Sequence, residues 1–301
     1  VSGATALERK VTDKVRRIEI GTRKMSAGSV HGGVQSRFRG RGMDFEELRE
    51  YAPGDDVRAI DWNASARTGR TFVKKYREER QLTVVFVVDM SASGDLGAGE
   101  GTKRDQAVEI AGLLALTAMR SDHRVGLVLF TDTVEMFVPP ARGRGHALRL
   151  VRDLVAFRPA GRGTNLASVL RTVRERLRKR AVVIVLSDFL LGEAGAAEAK
   201  PELAALARQH DVVGIHVGDQ HDRELPAVGL LTLEDVETGE LVEIDTGSRR
   251  ERERLAQAIG ETETRMRAFF ASSAVDLLSV DTIKPYLPGL VGFFKSRGAR
   301  R

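Results

Sequence analysis

The stretch Val84–Gly97 reads VVFVVDMSASGDLG: an unbroken apolar run, an aspartate, two serines at alternate positions, and then glycine. A strand apolar at every position is the form taken by one covered on both faces, as in a parallel sheet flanked by helices. LTVVFVVD (Leu82–Asp89) is therefore expected to be a central strand that stops on Asp89. The two serines beyond it, Ser91 and Ser93, have the chemistry to hold a metal ion, to cradle a phosphate, or simply to turn the chain.

Outward from this strand, the same pattern recurs. RVGLVLFTD, AVVIVLSD and DVVGIHVG are further buried strands, with a short one at TVEMFV. Helical spacing separates them. A helix begins near Thr102, whose hydroxyl with Asp105 forms a capping-box pattern, and Ala107, Ile110, Ala111 and Leu114 make its apolar stripe. Others are expected over His146–Phe157, Asn165–Lys179 and around Leu203. Such alternation predicts an α/β fold with a mainly parallel central sheet and helices on both faces.

The two ends read differently. Leu7, Val11, Val15 and Ile18 recur at helical spacing, and Gly28–Gly42 reads as loop. Pro53, Gly54 and the aspartates after them form a turn, Val57–Trp62 suits a short strand, and Thr68-Gly69 turns again. Asp55, Asp56, Arg58, Asp61 and Arg67 are placed to form an ion-pair network, in a cap held also by Tyr51 and Trp62. Towards the C-terminus, VGLLTLED and GELVEIDT flank Glu237-Thr238-Gly239 as a hairpin. A polar helix, the strand VDLLSV and a closing helix with Val291 and Phe294 come next, as a completion of the main sheet. The division expected is residues 1–80 as an N-terminal helix and short-strand extension packed on the core, and 81–301 as the sheet domain with a β-hairpin insertion near 228–245.

In an open α/β sheet, ligands gather beyond the carboxyl ends of the strands. Three of those ends or loops carry oxygen ligands: Asp89, Ser91 and Ser93; Thr164 in GRGTNL; and Asp188 after AVVIVLS. Two carboxylates and three hydroxyls, with no thiol or histidine, suit Mg²⁺ or Mn²⁺ and suit zinc or copper poorly. Each residue alone has a structural explanation. Thr164 is a good N-cap for the helix after it, and Asp188 can simply end a strand. Ser91 and Ser93, however, precede the helix by too much to cap it. The phosphate reading fails on spacing, because in GAGEGTK Thr102 stands where a nucleotide loop needs lysine or a dinucleotide fingerprint needs glycine.

Asp89-Met-Ser-Ala-Ser93 with Thr164 and Asp188 resembles the metal-ion-dependent adhesion site of von Willebrand factor A domains. The string GRGMDFEELREYAPGDDVRAIDWNASARTGRTFVKKYREER is similar to the signature of the bacterial domain-of-unknown-function family 58, and ELPAVGLLTLEDVETGELVEIDT extends the likeness. The resemblance implies a von Willebrand factor A-like (Rossmann-like) fold, a Mg²⁺-type site and a role in protein interaction, commonly beside MoxR-type AAA+ ATPases. It implies that Ser91, Ser93 and Thr164 hold the ion directly or through water, with Asp89 and Asp188 binding mainly through water. Gly94 departs from the adhesion motif, which often has methionine there, and a glycine-rich insert comes after it.

Bulk properties narrow the partners. The chain of 301 residues has no cysteine and carries a net charge of +6, with 5% aromatic residues. Its basic residues are interspersed with acids, as in KKYREER, so nucleic acid is not the expected partner. No apolar run is long enough to cross a bilayer, and the expected location is cytoplasmic. Arg171, Arg174 and Arg178 fall off the helix stripe and read as a solvated face. Arg142, Arg144 and Arg162 flank loops that should lie near the ion; a solvated surface role is the favoured reading, and attraction of an acidic partner is the alternative. Three functional readings remain. The first is a non-enzymatic interaction module whose Mg²⁺ or Mn²⁺ receives a carboxylate from an acidic protein ligand, with a MoxR-type ATPase as partner and no small-molecule substrate. The others are a metal-dependent hydrolase using the same oxygens and a scaffold with a vestigial site.

Overall fold

The computed structural model describes residues 43–53, 55, 57, 60–78, 81–97, 101–219, 228–234 and 241–299. The expected helix over 7–20, the loop 28–42, Asp56, Arg58 and the hairpin turn at 237–239 lie outside them. Its centre is a six-stranded sheet of β3 (Thr83–Asp89), β4 (Arg124–Phe130), β5 (Val134–Ala141), β6 (Val182–Ser187), β7 (Asp211–Gly218) and β10 (Asp276–Asp281). The spatial order is β10-β7-β6-β3-β4-β5. All neighbours run parallel except β5, which lies antiparallel on β4. Pro139 and Pro140 sit in β5, an edge strand, where proline is tolerated, and the β4–β5 register shifts opposite them, between Val125 and Leu127.

The apolar runs are explained by what covers them. Val84, Phe86 and Val88 of β3 face one core with α2 (Lys103–Arg120), α3 (Arg144–Ala156) and α7 (Tyr286–Ala299). Val85 and Val87 face the other core with α4 (Leu166–Arg176), α5 (Gly192–Gln209) and α6 (Arg249–Ser272). Both cores are closed to solvent: Phe86, Phe130, Phe270 and Phe294 are fully buried. Gly214 of β7 lets α6 approach, since a Cβ there would lie 2.6 Å from the Phe270 ring. This is the α/β architecture expected, with the capping box of Thr102 and Asp105 formed at the start of α2.

From β3 the chain crosses through α2 to β4 on one side, and it later lays β6 on the other side of β3. The carboxyl ends of β3 and β6 thus face a crevice from which the connections diverge in opposite directions, the topological switch point where such sheets bind ligands.

Several expectations are corrected outside the sheet. The strand expected over Val57–Trp62 is absent among the residues described there. Ile60 makes only an isolated bridge to Val73, and Trp62 opens α1 (Trp62–Thr68). Asp61 is the reason, because its carboxylate accepts from the N–H groups of Asn63 and Ala64 and so starts a helix. Gly69 ends that helix in the left-handed conformation, at φ 72°. Trp62 does not hold a cap together, being 70% exposed. The ion pairs found here join Arg49 to Asp55 at 2.5 Å and Arg70 to Glu50 at 2.6 Å. They brace an antiparallel ribbon of β1 (Met43–Glu50) and β2 (Phe72–Glu78). The C-terminal hairpin is present as β8 (Leu230–Glu234) and β9 (Leu241–Asp245), but it forms a sheet of its own, and only β10 extends the main one. The Arg171 and Arg174 face is more than solvated. Both side chains bind Glu202, at 2.9 and 3.2 Å, and clamp α4 to α5.

The last helix is tied to the sheet by one buried cation. Arg297 donates to Asp211 at 2.5 Å and to Asp276, and its side chain is only 5% exposed. Arg297→Ala would leave the half-buried carboxylates without it, and a loss of about 3–5 kcal/mol is expected, read as a shift of the urea unfolding midpoint.

Candidate functional site

Asp89 and Asp188 end up side by side because β3 and β6 are paired in register, Val88 opposite Leu186, and both strands stop at the same rim. Ser187 closes the gap, donating its hydroxyl to Asp89 Oδ2 at 2.6 Å. The other oxygen of Asp89 accepts from the backbone N–H of Ser91 at 2.9 Å, which curls the chain back over the strand end. That turn leads into a short 3₁₀ segment, Ala92–Asp95, and brings the hydroxyls of Ser91 and Ser93 within 3.1 Å of each other. Asp89, Ser91, Ser93, Ser187 and Asp188 are all buried, and they line one cavity of about 20 Å³, room for a single water or ion.

Of the five residues expected to hold an ion, four line this cavity and Thr164 is not among its lining residues. The Thr164 loop is nevertheless fastened to the site. Ala92 N–H donates to Arg162 O at 2.8 Å, and Asn165 N–H donates to Thr131 O at 3.2 Å. The cap of α4 is Asn165, which accepts from Ser168, so Thr164 is not the cap that the sequence offered. Glu135, not marked in the sequence, organises that loop by accepting from Ala160 N–H at 2.7 Å and Gly161 N–H at 2.9 Å. Burial pushes its carboxyl up, but the hydrogen bonds from Thr131, Ala160 and Gly161 outweigh this and hold it below its ordinary range. Gly161 is required there, because a Cβ would lie 2.1 Å from Asp132 Oδ1.

The glycine-rich insert has a structural outcome that spacing alone conceals. It returns with Lys103 N–H on Leu96 O at 2.9 Å, so that α2 starts at the mouth of the cavity. Arg104 donates to the carbonyls of Met90 and Ser91 at 2.9 and 2.8 Å and pairs with Asp95 at 2.5 Å. Lys103 lines the cavity itself, 2% exposed, with Nζ 3.5 Å from Asp188 Oδ2. Its signal in the sequence is a lysine in the first turn of a helix, where the positive end of the helix dipole disfavours it.

Electrostatically the pair of carboxylates is under stress. Burial, and then the neighbouring charge of Asp188, push Asp89 up from 3.8 to about 6, against the lowering effect of its bonds from Ser187 and Ser91. Asp188 Oδ2 is buried without a hydrogen bond. Among the described residues no three His, Cys, Asp or Glu side chains gather into a metal cluster. The donor set is two carboxylates with hydroxyls, which fits a hard cation that keeps some of its water.

The arginines divide by strand direction. Because β5 runs antiparallel, its end returns to the opposite edge of the sheet. Arg142 there pairs with Asp122 and donates to Gln81, and Arg144 begins α3 next to it. Neither is near the site, whereas Arg162 is. His216, on β7 opposite Ser187, carries no motif in the sequence. It lines a groove of about 270 Å³ with Asp188, Phe189, Leu190, Asp219 and Met266. Phe189 turns the chain into that groove at φ 51°, a left-handed conformation costing a non-glycine residue about 1–3 kcal/mol.

The model of the family described as "Protein of unknown function DUF58" matches residues 47–265. The chain belongs to this family. An uncharacterized protein of Mycobacterium tuberculosis strain H37Rv (Rv1480) is 33% identical over 292 residues, 96% of this chain and 90% of its own length. An uncharacterized protein of Mycobacterium avium (MAV169) is 30% identical over 53% of this chain and 93% of its own length. Among solved structures, the conserved hypothetical protein BatB of Bacteroides thetaiotaomicron aligns with 73% of this chain and 100% of its own, at 16% identity and a TM-score of 0.49. A von Willebrand factor type A structure from Catenulispora acidiphila aligns with 74% of this chain and 43% of its own, at 12% identity and a TM-score of 0.35. Among the described residues no helix is long and apolar enough to cross a membrane.

The proton on Asp89 gives a measurable pH dependence. A carboxyl with a folded pKa above its unfolded one stabilises the fold while protonated, and that contribution is lost as pH rises from about 4 through about 6. At ~1.4 kcal/mol per pH unit, chelated wild type should lose up to ~3 kcal/mol between pH 4 and pH 7 relative to Asp89→Asn. Parallel stability–pH curves for the two proteins in EDTA would count against it.

Proposed function

We propose that the chain is a non-enzymatic protein-interaction module of the cytoplasm. In this reading its switch-point cavity holds Mg²⁺ or Mn²⁺, and the ion receives a carboxylate from an acidic partner. The observation that carries it is the gathering of Asp89, Ser91, Ser93 and Asp188 around one ion-sized cavity, with Asp188 Oδ2 buried and lacking a hydrogen bond. Ser91 and Ser93 would contact the ion directly. Asp89, its oxygens already engaged by Ser187 and Ser91, would act mainly through water and by orienting the other ligands. Thr164 would complete the set from its clasped loop. With few carboxylates directly against it, the cation keeps positive charge, which is what attracts an external carboxylate. The partner proposed is a MoxR-type AAA+ ATPase, on the strength of the family resemblance.

Affinity capture from the native cell tests metal and partner together. The ATPase should be recovered with Mg²⁺ and lost with EDTA, and Asp89→Ala or Ser91→Ala should reduce recovery tenfold or more while the fold is kept. Recovery indifferent to chelator and to both substitutions would refute an ion-bridged contact. Thr164→Ala should weaken Mn²⁺ binding by at least tenfold in calorimetry.

A second reading, a metal-dependent hydrolase, is favoured by one observation. His216 shares a groove with Asp188 and stands opposite Ser187 in strand register. Purified wild type that turns over phosphate esters with Mn²⁺, and loses this in both Asp89→Ala and His216→Gln, would establish it over the interaction module.

A further inference from the structure

The cavity that fits a cation already has one at its wall. We infer that Lys103 is the built-in counter-cation of the Asp89–Asp188 site, and that a divalent ion must compete with its ammonium for the same oxygens. The inference deepens the proposed function and rests on the reading of the cavity as a divalent-ion site.

Four observations converge on it. Lys103 is 2% exposed, and its Nζ lies 3.5 Å from Asp188 Oδ2, whose side chain is 6% exposed. It lines the same cavity of about 20 Å³ as Asp89, Ser91 and Ser93. That empty volume holds one water-sized body directly beside the ammonium, so a dication entering it would meet strong charge repulsion from Lys103. Its place in the helix is otherwise unfavourable, since a cation in the first turn opposes the dipole of α2. The Asp188 carboxylate at the strand end offsets that cost. Finally, its backbone is held from both sides. Lys103 N–H is bonded to Leu96 O, the capping box of Thr102 and Asp105 fixes the turn, and Arg104 is fastened to Met90 O and Ser91 O. The stem is aimed at the site by the fold and does not reach it by chance.

Such a counter-cation has two consequences. Without metal, the ammonium keeps the buried carboxylates compensated, so the protein stays folded when chelated. With metal, the charge of Lys103 lowers the affinity, which sets a threshold that the ion must exceed.

Mn²⁺ titration of the full chain, stripped with EDTA and monitored by the paramagnetic signal of free Mn²⁺, reads this directly. Lys103→Met keeps an unbranched side chain one atom shorter and removes the charge, and it should bind Mn²⁺ at least tenfold more tightly than wild type. Lys103→Arg, which keeps the charge, should bind no more tightly than wild type. In EDTA the thermal midpoint of Lys103→Met should fall below that of wild type and be restored by Mn²⁺. Wild type that binds while Lys103→Met binds less than threefold more tightly overturns the competition and leaves the ion site standing. Absence of Mn²⁺ binding in every form removes the ion site and the inference together. Should Lys103→Met fail to fold, Lys103→Met/Asp188→Asn decides. A double variant more stable than Asp188→Asn alone supports compensation by Lys103, and one less stable than Asp188→Asn overturns it.

Discussion

Two carboxylates that end adjacent parallel strands cannot avoid each other, and the structure around them answers that repulsion. Asp89 and Asp188 are brought together by the register of β3 and β6, not by any attraction between them. Burial deprives both of water, and Asp89 responds by holding its proton to about pH 6. Ser187 supplies a hydrogen bond from one side, Ser91 N–H another from the other, and Lys103 a charge. A purely structural rim would gain more from apolar residues of the same size than from this partly satisfied cluster. That cost is the physical argument for function at this rim.

The oxygen donors sit on loops, yet those loops are not loose. The Met90–Asp95 turn is bonded to Arg104 through the carbonyls of Met90 and Ser91 and to Arg162 O through Ala92 N–H. The Thr164 loop is held in turn by the Glu135 carboxylate and by Thr131 O. These bonds fall on backbone groups, so they fix the course of the loops whatever side chains the loops themselves carry. An ion bound here would find its ligands close to their final places, which reduces the ordering that binding requires.

Much of the sheet is legible in the sequence because its central strands, β3, β4 and β6, are near-continuous apolar runs, the pattern of strands covered on both faces. The capping box at Thr102 and Asp105 is legible for the same kind of reason, since both side chains bond within one turn. Trp62 is misleading because a short segment with Val57, Ile60 and an aromatic looks like a strand. The deciding contact, Asp61 on two amide groups, is a matter of conformation and not of hydropathy. Arg142 and Arg144 mislead because sequence proximity to TVEMFV does not reveal that β5 runs antiparallel and carries them to the far edge. Glu135 and His216 have no local pattern at all; their roles come from long-range pairing. Lys103 is hidden by the comparison with nucleotide loops, which asks only whether a lysine stands at the required spacing.

The two readings of the cavity meet in its charge balance. With both carboxylates ionised, Lys103 leaves the cluster with one net negative charge, which a dication reverses to one net positive charge. A buried positive excess is unfavourable in a medium of low dielectric. An incoming carboxylate would remove it, and the exposed Leu190 on the adjoining groove would give the proposed partner's chain apolar surface beside the ion. By linkage, whatever the partner carboxylate adds to metal affinity the metal must add to partner affinity. In the proposed reading Lys103 would make that coupling larger, because without its charge the dication alone would neutralise the site and retain less demand for an external anion.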